Sequence, residues 1–174
     1  VLGQYNMSVH GSNNADLVIA IDGLRVNNLC GSGQFSGFYM NDASVQEVTF
    51  TTGAESAEMQ NGGLRINSIP KDGGNKFSGT LFAYGMNGGL QADNRSDEVK
   101  AAGVPQPSIA YTYQINPSFG GPIKRDKLWF FATWRRIATN SVIANNFYKD
   151  GRPGIEDQWI QNQMVRMTWQ VSPK

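Results

Sequence analysis

Ser44–Leu81 reads SVQEVTFTTGAESAEMQNGGLRINSIPKDGGNKFSGTL. Val45–Thr52 alternates, with Val45, Glu47, Thr49 and Thr51 on one side and Gln46, Val48 and Phe50 on the other, which predicts a strand. Gly53 closes it, Glu55–Gln60 has the composition of one helical turn, and Gly62-Gly63 opens a second strand over Leu64–Ile69. After the turn-forming Lys71-Asp72-Gly73-Gly74, alternation resumes at Phe77 over a longer run. A small strand-built unit is therefore handed over, without a linker, to a sheet of longer strands.

Upstream, the same small unit continues. Leu17–Ile21 is an apolar run too short for a helix and is bounded by Asp16 and Asp22-Gly23, which predicts a buried strand and a tight turn. Arg25-Val26 follows as its hairpin partner. Asn28–Asn41 is rich in Gly, Ser and Asn with Phe35, Phe38 and Tyr39 interleaved, the composition of a loop.

Downstream, four long strands are predicted, at Phe77–Met86, Ile109–Gly120, Lys127–Thr139 and Gln158–Val171. Each reaches the roughly 9–11 residues of a tilted transmembrane strand. In the second, Ile109, Tyr111, Tyr113, Ile115 and Phe119 share one face, and Ala110, Thr112, Gln114, Asn116 and Ser118 the other. Apolar-out and polar-in is the pattern of an outer-membrane barrel, although an antiparallel sheet over a soluble core alternates in the same way. Connection lengths discriminate: Asn87–Ser108 is long, Gly121–Asp126 short, and Asn140–Asp157 long. Extracellular loops and periplasmic turns alternate in that manner. Phe77, Phe119, Trp129, Phe131 and Trp169 are expected at the periplasmic strand ends, and Tyr111 and Trp159 at the outer ends, as two aromatic girdles. Four strands cannot close, because the smallest such barrels have about 8 and open edges leave backbone groups unpaired in lipid.

Composition agrees. The 174 residues carry Lys+Arg 15 against Asp+Glu 14, so no net field attracts nucleic acid. Charged residues are 17% of the chain, and Gly, Asn, Ser, Thr and Gln take their place, a mixture that suits strands and turns. No apolar run approaches the ~20 residues of a spanning helix, which says nothing against a barrel. The chain opens without Met or a leader and runs out of a strand at Gln170–Lys174, and reads as an internal fragment of a longer protein.

The ordered motifs resemble those of TonB-dependent outer-membrane receptors, in particular the Oar-like branch at its plug-to-barrel junction. They are Val45-Gln46-Glu47-Val48, Gly53, Ser56-Ala57-Glu58, Gly62-Gly63, Lys71-Asp72-Gly73 and Asn75-Lys76-Phe77-Ser78-Gly79. Ser8–Ser12 followed by Ile21-Asp22-Gly23-Leu24-Arg25-Val26 is similar to the family's strand-to-strand element, with His10 where an Arg is common. Pro117–Ile123 with Lys127–Phe131 resembles its second strand, first periplasmic turn and third strand. The resemblance implies a mainly β chain: residues 1–74 are the C-terminal part of a small α/β plug domain, and 75–174 the first four antiparallel strands of a transmembrane β-barrel of about 22 strands. It implies an outer-membrane location in a Gram-negative bacterium, TonB as partner through an upstream segment, lipid contact, and uptake of a bound peptide, glycan or metal chelate. Asp22, Gly23, Gly53, Ser56, Ala57, Glu58, Gly62, Gly63, Lys71 and Gly73 are the plug-motif positions, and Phe35, Phe38 and Tyr39 a substrate-facing loop. Glu47, Glu58, Arg65 and Lys71 are candidates to pair with charges on the barrel wall.

No catalytic, cofactor or metal site is expected. His10 is the single histidine with no ligand-spaced partner, and Cys30 lacks a base. Asp72–Lys76 lacks the spacing of a phosphate loop, and Asp93–Glu98 has Arg95 where a calcium loop would bend. Arg135 and Arg136 must face opposite sides of a strand, one inward and one at the outer interface. The rival readings are a soluble extracellular β-rich binding or adhesion module and, with less support, a secreted β-rich hydrolase.

Overall fold

The computed structural model describes residues 7–27, 36–53, 63–104, 106 and 108–172. It contains two four-stranded sheets. The first comprises β1 (Val18–Ile21), β2 (Leu24–Arg25), β3 (Val45–Thr51) and β4 (Arg65–Pro70) in the order β2-β1-β4-β3. β1 pairs with β4 in parallel, with Val18 opposite Arg65 and Ile21 opposite Ser68. The β1–β2 and β3–β4 pairs are antiparallel, so this is a small mixed sheet. The β1–β2 connection is Asp22-Gly23, with φ of 49° and 79°. Positive φ at both central residues is what a tight two-residue hairpin requires.

The second sheet is β5 (Ser78–Asn87), β6 (Ser108–Lys124), β7 (Leu128–Phe147) and β8 (Pro153–Trp169), paired in chain order. Its faces are inverted relative to those of a water-soluble protein. On β6 the polar Thr112, Gln114, Asn116 and Ser118 are buried, whereas Tyr111, Ile115 and Phe119 are exposed. Asn116 retains 3% of its surface and Phe119 49%. Water would select the opposite arrangement, and hydrocarbon selects this one. On β7, Phe131, Thr133 and Arg135 are buried, then Ala138 and Asn140, so the alternation slips by one residue at Arg136-Ile137.

Three expectations are revised. The polar stretch after β7 is no open loop: both strands continue through it, leaving a tight turn at residues 148–152, where Tyr148 N–H donates to Arg152 O at 2.8 Å and Gly151 N–H to Tyr148 O at 2.9 Å. Strand pairing satisfies the backbone whatever the side chains, so polar residues prolong a hairpin into water at no cost in backbone hydrogen bonds. The stretch after β5 likewise contains a short helix, α1 (Asp97–Ala101), capped by the Ser96 hydroxyl. Third, Phe131 faces inward. The lower aromatic cluster is Phe77 stacked on Phe119 at 5.8 Å, with Phe130 tilted against Phe119 at 5.7 Å. Phe130 occupies the outer face assigned to its neighbour.

By compactness the chain forms two units. One holds Leu81–Pro117 and Arg135–Gln161; the other holds the described residues of Gly3–Thr80, Ser118–Trp134 and Asn162–Lys174. The small sheet therefore shares its unit with the β6–β7 turn region and the end of β8.

Candidate functional site

The functional geometry in this second unit centres on the segment leaving β4. Lys71 N–H donates to Ser44 O at 2.8 Å, which carries the chain straight out of the small sheet. Gly73 then crosses the backbone of Phe130 so closely that a Cβ there would lie 2.2 Å from the Phe130 carbonyl oxygen. Only glycine fits this crossing. Asn75 fastens the next step: its Nδ2 donates to Asp126 Oδ1 at 2.6 Å, and its Oδ1 accepts from Asp126 N–H at 3.0 Å and Trp129 Nε1 at 2.7 Å. One amide side chain thus spans the β6–β7 turn, where Asp126 has φ of 59°.

Between these fixed points, Asp72 meets β8. Arg166 Nε donates to Asp72 Oδ1 at 2.6 Å, and Thr168 Oγ1 donates to the same oxygen at 2.7 Å. The other arm of Arg166, through Nη1, pairs with Asp22 Oδ2. Asp22 is held in place by the neighbouring β4: its N–H donates to Ser68 O at 3.1 Å, and Gly23 N–H donates to Asn67 Oδ1 at 2.9 Å. One guanidinium from a long strand therefore clasps two carboxylates, one on the β1–β2 turn and one on the exit segment. A planar fork suits such bridging better than an ammonium would.

A small cavity of about 30 Å³ is lined by Phe38, Met40, Ser44, Val45, Thr133 and Met164, among others. Since one water needs roughly 10–15 Å³ by this measure, the cavity admits a water or two and no organic substrate. The described residues contain no cluster of three or more His, Cys, Asp or Glu side chains suited to a metal.

The predicted positions divide as follows. Asp22 and Gly23 form the hairpin turn, and Asp22 also joins the clasp. Gly63 and Gly73 stand at close backbone approaches; a Cβ on Gly63 would lie 2.6 Å from Asp16 O. A Cβ on Gly53 would meet nothing within 4 Å, and its φ is not positive, so neither crowding nor a left-handed backbone requires glycine there. Ser56, Ala57, Glu58, Gly62 and Phe35 lie outside the described residues. Phe38 lines the small cavity and is fixed by Ser36, whose hydroxyl donates to Phe38 O at 2.8 Å; Tyr39 beside it is half-buried. Among the described residues, neither Glu47 nor Lys71 forms an ion pair. Asp22, Asp72 and Arg166 are charges that do meet among the described residues. Sequence reading missed the last two because 94 positions separate them. The available signal was a single Arg on the inward face of β8, flanked by Met164 and Thr168.

The outer membrane beta barrel domain family matches residues 69–149. Over 131 residues the chain is 30% identical to the TonB-dependent transporter Oar of Myxococcus xanthus, a match covering 74% of this chain and 12% of that protein. No solved structure matches the chain. The inverted faces of the long sheet, the barrel-family match and the likeness to Oar agree. Over most of its length the chain is similar to a TonB-dependent outer-membrane transporter, and its long sheet is part of a β-barrel in the outer membrane of a Gram-negative bacterium.

Proposed function

We propose that this chain is the plug-to-barrel junction of a transporter that takes up a bound substrate (peptide, glycan or metal chelate) when TonB pulls on the plug. Residues 1–74 belong to the plug and 75–174 form the first four barrel strands. The observation that carries this reading is the Arg166 clasp, in which the inward face of a wall strand holds one carboxylate on the β1–β2 turn and one on the segment leaving β4. A polar contact of this kind suits a domain that must shift under force, since hydrated charges re-form after sliding and a packed apolar interface does not. The plug-motif positions Asp22, Gly23, Gly63, Lys71 and Gly73 shape the turns and close approaches of that unit. Phe38 and Tyr39 lie on a plug loop offered to substrate. No catalytic role is assigned.

The test uses the full-length protein in its native cells. Accumulation of labelled peptides, glycans and ferric chelates is compared between cells with the gene, without it, and with the gene but without TonB. Uptake of one class that needs both the gene and TonB is expected. Equal uptake of every class in all three strains refutes the transport reading.

A further inference from the structure

Arg136 lies on the outward, apolar face of β7, opposite the inward Arg135. Its Nε donates to Tyr113 Oη at 3.2 Å, and its guanidinium sits over the Trp159 ring at 5.4 Å. Tyr113 is in turn stacked on Tyr111 at 6.2 Å. Three strands thus contribute to one aromatic setting around one cation on the membrane-facing surface. Among the described residues no carboxylate forms an ion pair with Arg136. Asp157, two positions from Trp159 on the same face, is not engaged. The Tyr and Trp contacts use the Nε and one π-face, and among the described residues no acceptor engages the Nη atoms, which stay open to a ligand.

A cation on a lipid-facing surface is costly unless it reaches the interface and finds an anion there. Arg136 sits beside Tyr113, near the Ser108 end of β6, the end that carries the long 87–108 connection. In barrels of this kind that end faces outward. We infer that Arg136, with Tyr113 and Trp159, forms a binding site for a phosphate of an anionic glycolipid in the outer leaflet. The guanidinium donates two parallel hydrogen bonds to the phosphate oxygens, while the rings lie against the sugar and upper acyl region. This rests on the barrel orientation adopted above.

The test uses full-length protein in phosphatidylcholine nanodiscs, with and without diphosphoryl lipid A, reading the lipid-dependent rise in melting temperature as a titration. Wild type is expected to saturate. Arg136→Gln should need about tenfold or more lipid A for half-effect, as for loss of one charge-assisted pair. Arg136→Lys should recover part of the affinity, and Tyr113→Phe, which keeps the charge, should weaken binding a few-fold. Dephosphorylated lipid A should give no specific shift, and inorganic phosphate alone none. An undiminished response in Arg136→Gln, an equal shift from dephosphorylated lipid, or an equal shift from inorganic phosphate each overturns the site. Should Arg136→Gln not fold, Tyr113→Phe and Arg136→Lys decide alone, and wild-type affinity in both overturns it. A folded barrel that ignores lipid phosphate refutes this site and leaves the transport reading standing.

Discussion

Replacing Arg166 by Gln should loosen the exit segment and the β1–β2 turn from the long sheet without unfolding that sheet. Arg166 is 30% exposed at the side chain, Asp22 42% and Asp72 43%, so the trio is neither fully hydrated nor buried. A hydrogen bond to a charged group contributes about 1.5–3 kcal/mol when shielded, and an ion pair open to water about 0–1 kcal/mol. Two pairs sharing one guanidinium at this exposure give about 1–3 kcal/mol, or roughly 5- to 150-fold in the local opening equilibrium. Removing the cation also leaves Asp22 and Asp72 facing one another with like charge. Each single carboxylate change, Asp22→Asn or Asp72→Asn, should therefore cost less than Arg166→Gln. Native-state hydrogen exchange on the full-length protein reads this directly, at residues 18–25 and 65–73 against β6 as an internal control. Protection should fall in the first two segments and remain in the third. The difference should shrink near 1 M salt, where the screening length is only about 3 Å. Unchanged exchange at both segments, or a loss insensitive to salt, refutes the clasp as a contributor to docking.

Two glycines of the family motif should behave oppositely. Gly73→Ala forces a Cβ onto the Phe130 backbone, which must shift, and should destabilise by about 1–3 kcal/mol, whereas Gly53→Ala should be nearly neutral. Thermal unfolding of the two variants checks this, and equal melting temperatures contradict it. In the β5–β6 connection, Asp93 accepts from Arg95 Nε and Nη2 at 2.9 Å each, and this guanidinium holds its carboxyl well below the usual carboxylate range. The folded pKa is depressed, so the contribution is complete above the unfolded value of about 3.9 and is lost only as pH falls through the lower folded value. Protease sensitivity of residues 91–104 should therefore stay flat from neutral pH to the ordinary carboxylate range and rise only in stronger acid. Arg95→Gln should move that rise upward in pH. A rise at the same pH in both proteins contradicts the assignment.

The fold was legible where a pattern repeats. Period-two alternation on β6 fixed which side chains enter the polar interior, and the Asp22-Gly23 dipeptide fixed a hairpin, because each depends on neighbours in the chain. What escaped depends on distant partners or small phase changes. Phe130 and Phe131 differ by one position, and composition cannot say which belongs to the outward face; the phase comes from pairing with Phe119. Asn140–Asp157 reads as loop by polarity, yet strand pairing continues through it because the backbone, not the side chains, makes the ladder. Asp72 carried no signal of its role: its partner Arg166 lies a sheet away in sequence, and a turn explains the local residues equally well. A Cβ at Gly63 or Gly73 would strike neighbouring backbone, while Gly53 shows that a motif glycine need not stand at a crowded position.

The central claim is that the polar side chains of β6 face the interior and the apolar ones face lipid. Its most direct test is a nitroxide scan of residues 111–119 in the full-length protein reconstituted in bilayers, reading oxygen against a water-soluble nickel chelate. Positions 111, 113, 115 and 119 should be oxygen-accessible and positions 112, 114, 116 and 118 oxygen-protected, with a period of two. A uniform profile, or high oxygen access at the even positions, contradicts the account.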